Sequence, residues 1–365
     1  MKKHLLLPTF VTSLFVTLVA SASNQSLNAD NATSVTLYHQ SLVQPPKGIG
    51  AREAGTKQEQ QTAEFIYSAF KKLGYHTQKQ AFTFGKNEKS SSNIIADAHP
   101  SSKPTIVLAA HYDSIAAKTG SLGATDNGAG VAAMLAIAAQ LSTHETSKFN
   151  IRFIAFGAEE VGLHGSKYYV DQLAKNDPNT LRNIVAMVNF DTIAGGDYIY
   201  VHSADTEPYD CEGANDTYQS ESWLRDALLS TSKKILGDAN QYRIHPASDD
   251  LAQGVTGPWS DHAPFACKGI PIAYVESTNF DINGRDGYDG YSQSNHPKLW
   301  DCFDSETNSA CDRSSETKWG NIWHTEYDDL TKLNELFPNR INQQLEQNVQ
   351  VLVKFLTNFS LPTQQ

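Results

Sequence analysis

The stretch TIVLAAHYDSIAAKTGSLGATDNGAGVAAM, from Thr105 to Met134, decides the fold of this chain. It begins with an apolar run, Ile106 to Ala110, which predicts a buried strand that ends at His111-Tyr112-Asp113. A loop of small residues then leads through Asp126 into a helix-forming segment. Open α/β sheets bind ligands at the carboxyl ends of their strands, so the polar residues after this strand mark a candidate site.

The pair His111 and Asp113 has two interpretations. A histidine that binds a metal is commonly oriented by a nearby carboxylate, which fixes the tautomer of its ring, and the His-x-Asp spacing suits that arrangement. Alternatively, the two polar residues only end a strand. The remaining sequence has to decide between a metal site and a strand end.

Helical and extended patterns alternate on both sides of this stretch. The predicted helices are Thr56–Gly74, Val131–Leu141, one that ends near Leu173, Ser220–Leu236 and Asn339–Phe359, and the predicted strands are Gln80–Phe84, Asn93–Ala96, Asn150–Phe156, Ile184–Phe190, Tyr198–Val201 and Ile270–Val275. This alternation predicts an α/β fold, with a single doubly wound, mainly parallel sheet and helices on both faces. No composition break or internal repeat indicates a second domain.

Composition and the first residues bear on partners and compartment. The net charge of -11 provides no basic surface for nucleic acid, and no such partner is expected. Residues 1–22 combine a basic start, an apolar core and an Ala20-Ser21-Ala22 cleavage site, which predicts a signal peptide before a mature domain over 23–365. A membrane anchor is the competing interpretation, but the apolar core is short for a span and contains Pro8. We therefore expect an exported protein, periplasmic or secreted, that does not stay in the membrane.

The four cysteines favour disulfides over a thiolate metal site, because their number is even and the protein is expected to be exported. Cys302 and Cys311 flank the polar loop DSETNSA, which predicts a local disulfide. This pairing leaves Cys211 with Cys267, one of the connectivities that four cysteines allow.

Polar residues follow three successive predicted strands and recur once late in the chain. They are His111, Asp126, the Glu159-Glu160 pair, Asp191 and His324. Imidazole and carboxylate ligands suit Zn²⁺, with Mn²⁺ or Co²⁺ as substitutes, and two ions could share one bridging carboxylate. Asp126 is the natural bridge, because a Gly-rich loop holds it at a helix start. Adjacent glutamates in extended chain point in opposite directions, so one can bind metal while the other acts as general base.

Five motifs carry a resemblance to a known family. In order they are AAHYDS, GATDNGAG, FGAEEVGLHGS, NFD and WHTEYDD, between residues 105 and 330. Together they resemble the co-catalytic zinc aminopeptidases of the M28 peptidase family, and the stretches VESTNFDINGRDGY and LFPNRI resemble a bacterial member of it.

The resemblance implies a role for each residue. His111 and Asp191 would hold one zinc ion, Glu160 and His324 a second, and Asp126 would bridge the two. Asp113 would orient His111. The family commonly has a second acid after the bridging aspartate, whereas Asn127 stands here.

The resemblance also implies the reaction. Glu159 would be the general base for a hydroxide shared by the two zinc ions, and the enzyme would remove residues from the N-termini of peptides or proteins. A monomer is expected. The tetrahedral oxyanion needs a further donor, and the candidates are the hydroxyls of Tyr112, Tyr274, Tyr288 and Tyr291.

Two further features carry weaker predictions. His262 in Trp259-Ser260-Asp261-His262 is expected either to contact the ligand residues from outside or to be structural, and His164 is expected to form a hydrogen bond within its loop, because the residues above already complete two sites. The segment from Asn279 to Lys318 is rich in acids: Asp281, Asp286, Asp289, Asp301 and Asp304. It is either a solvated surface loop or, as the resemblance implies, a specificity loop that favours a basic N-terminal residue.

Three rival functions share this kind of ligand set. Carboxypeptidases or deacylases of the related M20 group insert a lid domain between the last two ligands, and no such pattern lies between Asp191 and His324. Glutaminyl cyclases keep the fold but are acyltransferases with a single zinc ion, so metal content would separate them. Receptor ectodomains on this fold lose ligands, whereas all five predicted ligand positions are present here.

Overall fold

The computed structural model describes residues 32–98, 103–143, 148–204, 209–211, 216–247 and 252–361. Its helices are α1 (Ala32–Val43), α2 (Lys57–Lys72), α3 (Gly130–Leu141), α4 (His164–Asn176), α5 (Pro178–Arg182), α6 (Trp223–Leu236), α7 (Ala263–Ala266), α8 (Leu330–Leu336) and α9 (Arg340–Asn358). Its strands are β1 (His76–Phe84), β2 (Lys89–Asp97), β3 (Thr105–His111), β4 (Asn150–Phe156), β5 (Ile184–Phe190), β6 (Tyr198–Ala204), β7 (Tyr209–Asp210), β8 (Thr217–Tyr218), β9 (Val255–Thr256), β10 (Ile272–Thr278), β11 (Phe303–Asp304) and β12 (Ser309–Ala310). The predicted signal peptide lies outside the described residues.

One eight-stranded sheet, in the order β1-β2-β4-β3-β5-β10-β6-β9, organises the molecule. Its central strands β4, β3, β5 and β10 run parallel, while β2 and β6 join them in the antiparallel sense. All seven residues of β3 are buried, as a strand covered on both faces requires. The predicted fold class is confirmed, and Tyr198 begins the antiparallel neighbour that the sequence indicated.

Helices cover both faces of this sheet. One core cluster joins residues of α1, α2, α3, α6 and α9 to one face, and a smaller cluster joins residues of α4 and α7 to the other. Helix α3 is built largely from alanine and is buried at 11 of its 12 positions, so it packs closely on the strands. Its N-terminus therefore lies fixed beside the end of β3.

Most predicted boundaries agree with the observed ones to within a few residues, and the largest differences lie in the hairpin. Strands β1 and β2 pair over nine positions each, and they are longer than predicted because polar residues continue the ladder at its solvent-facing edge. Thr56 caps α2 as predicted, with its hydroxyl accepting from the amide of Glu59. The Glu59 carboxylate accepts instead from the Gly55 amide and the Ser91 hydroxyl, so it also joins α2 to the hairpin.

Both predicted disulfides are present. Cys302–Cys311 closes the small hairpin of β11 and β12, and Cys211–Cys267 ties the end of α7 to the segment after β7. Between Asp191 and His324 the chain supplies β6, β9 and β10 to the same sheet. Within the described part of this segment there is no separate lid layer of the M20 kind.

Candidate metal centre and active site

Two groups of ligand-type side chains meet at the carboxyl ends of the central parallel strands. We call His111, Asp126 and Asp191 the inner half-site, and Asp126, Glu160 and His324 the outer half-site. Within each group the ligand atoms all lie within 4.8 Å of one another. The structure therefore brings together all five predicted ligand positions, which are spread over more than 200 residues of sequence.

Asp126 lies between the two histidines. Its Oδ1 atom is 3.2 Å from Nε2 of His111, and its Oδ2 atom is 3.1 Å from Nε2 of His324. Asp191 Oδ1 lies 3.3 Å from the same nitrogen of His111, and Glu160 Oε2 lies 3.2 Å from that of His324. One carboxylate thus joins two nitrogen–oxygen clusters, the arrangement expected of a residue that bridges two metal ions.

A buried oxygen without a partner is a second sign, independent of the distances between ligand atoms, that these side chains fit a pair of divalent metal ions. Glu160 Oε1 is buried and has no hydrogen-bond partner among the described residues. A buried carboxylate oxygen without a partner is costly, and a metal ligand would satisfy it. Two imidazole nitrogens and three carboxylates form a donor set that suits zinc.

The electrostatics of the site agree with this fit. Burial raises the pKa of Glu160 to about 8, and the charge of Asp126 adds to that shift. Burial lowers the pKa of His324, but Asp126 and Glu160 outweigh it and raise the pKa to about 11. Without metal, protons on the imidazoles offset the charge of the carboxylates, and a divalent ion would replace those protons.

Asp113 makes two kinds of contact. Its carboxylate accepts from the backbone amides of Glu159 and Glu160, at 3.0 and 3.2 Å. It also lies 3.6 Å from Nδ1 of His111, whereas the backbone carbonyl of Asp113 is closer to that nitrogen, at 3.2 Å. The Asp113 carboxylate therefore has two roles: it fixes the backbone of the glutamate pair through hydrogen bonds, and it faces the ring of His111.

Glu159 and Glu160 turn to different neighbours, as adjacent residues in extended chain do. Glu160 faces His324, while Oε2 of Glu159 lies 4.0 Å from Nε2 of His111. Burial raises the pKa of Glu159 well above that of an ordinary carboxyl, although the charge of His111 lowers it. Of the two glutamates, Glu159 is thus the one that remains outside the ligand clusters of both half-sites.

Asn127, where the resemblance led us to expect an acid, supports the backbone. Its amide nitrogen donates to the carbonyl of Phe190 at 2.7 Å, and its side-chain oxygen accepts from the Gly130 amide at the start of α3. Asn127 thus links the bridging loop to the end of β5, the strand that precedes Asp191.

The structure adds residues that the sequence analysis did not assign. Ser260 donates to Asp191 Oδ2 at 2.8 Å, and Asp328 accepts from the amide and hydroxyl of Thr125, beside Asp126. Asp328 lies in the motif WHTEYDD, but nothing in that motif shows which loop its carboxylate contacts. His262, predicted to lie outside the ligand set, is buried and contacts the Gly257 carbonyl, and His164 packs against Phe84.

Three residues of the site have a left-handed backbone conformation that side chains other than glycine rarely adopt. Ala158 precedes the glutamate pair with φ 55°, Thr192 follows Asp191 with φ 49°, and His324 itself has φ 55°. Such strain persists only where surrounding contacts impose it, and it clusters at functional sites. The left-handed conformation turns the chain sharply at the points where a strand or loop carries one of the ligand-type residues.

Comparison with known proteins agrees with this geometry. The family model for Peptidase family M28 matches residues 93–349. The alkaline phosphatase isozyme conversion protein of Escherichia coli K12 is 27% identical over 259 residues, which cover 65% of this chain and 70% of that protein. The sequence-based resemblance to a bacterial member of this family is therefore confirmed. The match covers less than half the length of three other relatives: the aminopeptidase YwaD of Bacillus subtilis, a probable lipoprotein aminopeptidase of Mycobacterium tuberculosis and the leupeptin-inactivating enzyme 1 of Streptomyces exfoliatus.

Solved structures show the same fold. A zinc aminopeptidase from Bacillus subtilis, BSAP, superposes with a TM-score of 0.60 at 18% identity, covering 89% of this chain and 94% of that one. A glutaminyl cyclase from Porphyromonas gingivalis superposes with a TM-score of 0.59 at 19% identity, covering 90% and 98%. The fold alone does not separate these activities, whereas the family match together with the aminopeptidase relatives favours a peptidase. The chain belongs to peptidase family M28.

Proposed function

We propose that this chain is an exported aminopeptidase that binds two zinc ions per chain and uses Glu159 as its general base. The observation that carries the proposal is the position of Asp126, whose two carboxylate oxygens reach His111 and His324 separately. A single-metal enzyme needs only one of these contacts. The aminopeptidase relatives and the family match support the same activity.

Each half-site would hold one ion. His111 and Asp191 would bind the first, Glu160 and His324 the second, and Asp126 both; Mn²⁺ or Co²⁺ could substitute. When bound, a zinc pair polarises the scissile carbonyl and makes a water molecule acidic near neutral pH. Ser260 holds Asp191 in its ligand orientation through its hydrogen bond to Oδ2.

Glu159 would accept the proton of the attacking water and return it to the leaving amine. Its backbone is fixed by Asp113, and burial raises the pKa of its side chain, so the carboxylate accepts a proton more readily than an exposed one. The free amino group of the substrate, a cation, would lie against the excess of carboxylates at the outer half-site, where His324 is 47% exposed.

The tyrosines differ as donors to the oxyanion. The hydroxyl of Tyr112 donates to the carbonyl of Ser92 at 2.7 Å, so it is already engaged. Tyr274 is buried on β10 and its hydroxyl lies 3.5 Å from Glu276, whereas Tyr288 and Tyr291 are about half exposed. We propose that the donor is one of these three.

Export and a single mature domain over 23–365 remain part of the proposal. Two disulfides favour an oxidising compartment, periplasmic or extracellular. In the described ranges, none of the helices has the length and apolar character that crossing a bilayer demands. We propose that the mature protein acts as a monomer.

The acids of residues 279–318 divide into two sets. Asp301 and Asp304 accept hydrogen bonds within their own loops, and Asp281 lies 3.5 Å from Arg243. Burial raises the pKa of Tyr291, and the charges of Asp289, Glu276 and Asp286 add to that shift, so Asp286 and Asp289 act on this half-exposed side chain. Asp289 also accepts from the backbone amide of Tyr291, at 3.0 Å. A preference for basic N-terminal residues would depend on this second pair. Faster cleavage of arginyl than leucyl amides is expected, and a clear preference for leucyl would contradict it.

Digestion of a short peptide library with sequencing of the products tests the proposed function. We expect stepwise loss of N-terminal residues, inhibition by a chelator and two zinc ions per chain by elemental analysis. Internal cuts would indicate an endopeptidase instead. One zinc ion per chain, with ammonia released from peptides that begin with glutamine, would identify a cyclase.

A further inference from the structure

A buried arginine from outside the matched family region contacts the two loops that carry ligands of the inner half-site. Arg52 is completely buried, although it lies 41 residues before the match begins at residue 93. It follows α1 and precedes α2. Burying a guanidinium is costly unless hydrogen bonds satisfy its donors, so its contacts need an explanation.

The partners of the Arg52 side chain are backbone carbonyls. Nε donates to Tyr112 O at 2.8 Å, and Nη1 donates to Gly50 O at 2.7 Å and to Leu122 O at 3.0 Å. Nη2 donates to Gly123 O at 2.8 Å. Among the described residues no carboxylate lies within ion-pair distance of Arg52, so its role is not that of an ordinary salt bridge.

Three of these four carbonyls, all except that of Gly50, belong to the segments that carry the proposed metal ligands. Tyr112 follows His111 directly, and Leu122 and Gly123 lead to Asp126. The planar guanidinium therefore joins the end of β3 to the loop that precedes the bridging residue. A fork of rigidly arranged donors can fix several carbonyls at once, whereas a lysine ammonium acts as a point charge on a flexible stem.

A second buried side chain takes the next carbonyl of the same loop. Nε2 of His39, on α1, lies 2.7 Å from Ala124 O. Burial lowers the pKa of His39 to about 4, so the ring is neutral and donates from this nitrogen. Three successive carbonyls, those of residues 122, 123 and 124, are thus held by two residues of the N-terminal region.

The other side of the loop is held by Asp328, four residues after His324. Its carboxylate accepts from the amide of Thr125, at 2.5 Å, and from the hydroxyl of Ser121, at 3.2 Å. The loop that carries Asp126 therefore lies between a buried cation on its carbonyl side and a buried acid on its amide side. Neither neighbour touches a ligand side chain directly.

We infer that Arg52 is a positioning residue that sets where Asp126 stands between the two histidines, through the geometry of its fork and not through its charge alone. The inference rests on the proposed metal centre. It implies that the N-terminal region is part of the active site, and that a domain cut at the family boundary would bind metal poorly.

The test uses Arg52→Lys in the full chain, with Arg152→Lys as the matched control. Arg152 is also largely buried, with bidentate contacts to Asp97 at 2.8 and 3.1 Å. We measure zinc affinity by competition with a chelator, and the absorption spectrum of the protein saturated with Co²⁺. For Arg52→Lys we expect zinc affinity to fall about 10- to 100-fold, the usual cost of losing an outer-shell partner. The Co²⁺ spectrum should change as well, while Arg152→Lys should keep both properties.

The outcomes separate this inference from the proposed function. A wild-type chain that binds no zinc would refute the metal centre itself. A wild-type chain with two ions, and an Arg52→Lys variant with the same affinity and spectrum, would overturn the role of Arg52. If Arg52→Lys does not fold, zinc affinity is compared between His39→Leu and His39→Gln instead, because His39 holds the next carbonyl of the same loop. Glutamine retains a donor for Ala124 O, so we expect it to bind zinc more tightly than the leucine variant, and equal affinities would overturn the inference.

Discussion

The inner and outer half-sites share Asp126 but are built differently. The inner half-site lies at the ends of neighbouring parallel strands, with His111 closing β3 and Asp191 following β5, and His111 is 1% exposed. The outer half-site draws Glu160 from the loop after β4 and His324 from an irregular segment before α8, and His324 is 47% exposed. The sheet positions the residues of the inner half-site, and loops position those that are particular to the outer half-site.

This difference predicts that the two half-sites hold their ligand residues with unequal firmness. Ligands on paired strands keep their positions without metal, because the backbone ladder fixes them. Ligands on loops are ordered by fewer backbone contacts, so we propose that metal would exchange and substrate would enter at the outer half-site.

Replacing Asp126, the residue that both half-sites share, should affect the inner and outer half-sites alike. We expect Asp126→Ala to lose both metal ions and to lower kcat/KM by more than about 100-fold, since changes outside the ligand shell already cost about 10- to 100-fold. Elemental analysis and peptide hydrolysis would measure this. A variant that keeps one tightly bound ion would show that Asp126 serves a single half-site.

Replacing the proposed base should leave both half-sites intact. Glu159→Gln is expected to lower kcat by about 10²- to 10⁴-fold, the usual contribution of a general base, with unchanged zinc content. Glu64→Gln, which alters an exposed partner of Lys79, is the surface control. Loss of zinc in Glu159→Gln would show that Glu159 is a metal ligand and not only a general base.

Removing one histidine from each half-site should give unequal results. His324→Ala is expected to retain one ion, at the inner half-site, because the strands there are intact. His111→Ala should bind both ions weakly, because Asp126 loses its buried neighbour and shifts for both half-sites. Zinc titrations of the two variants compare them, and identical stoichiometries would remove the distinction.

The last prediction concerns the pH dependence of zinc affinity. In the metal-free protein Asp126 and Glu160 raise the pKa of His324 to about 11 against the opposing effect of burial, so a proton occupies the outer half-site below that pH. Metal binding must displace it, and zinc affinity should therefore rise with pH by about tenfold per unit for each proton displaced. Calorimetry in buffers of different ionisation enthalpy measures the released protons. An affinity that is constant between about pH 6 and 9 would contradict the protonated ring.

Much of the site could be predicted because its residues follow apolar runs. Strand β3 is apolar up to Ala110, and Glu159 comes three residues after β4, so each ligand's place in the sheet could be read from the sequence. His324 follows no strand, so no strand end predicts its place in the site, and the family resemblance assigned it to the second zinc ion. Arg52 had no local pattern that predicts its role, since three of its four carbonyl partners lie 60 to 71 residues away in sequence.

Sequence alone predicted the parallel sheet, the helices α2, α3, α4, α6 and α9, and the two disulfides, because periodicity, strand ends and cysteine spacing are local properties of the chain. It also supplied the five ligand-type side chains, whose roles the family resemblance assigned. Helix α1, which carries His39, was not predicted. Only the tertiary structure decided which oxygen of Asp126 meets which histidine, that Asp113 holds the glutamate backbone, and that Arg52 joins two loops. These contacts depend on distances set by packing between segments that are remote in sequence, and no local pattern encodes them.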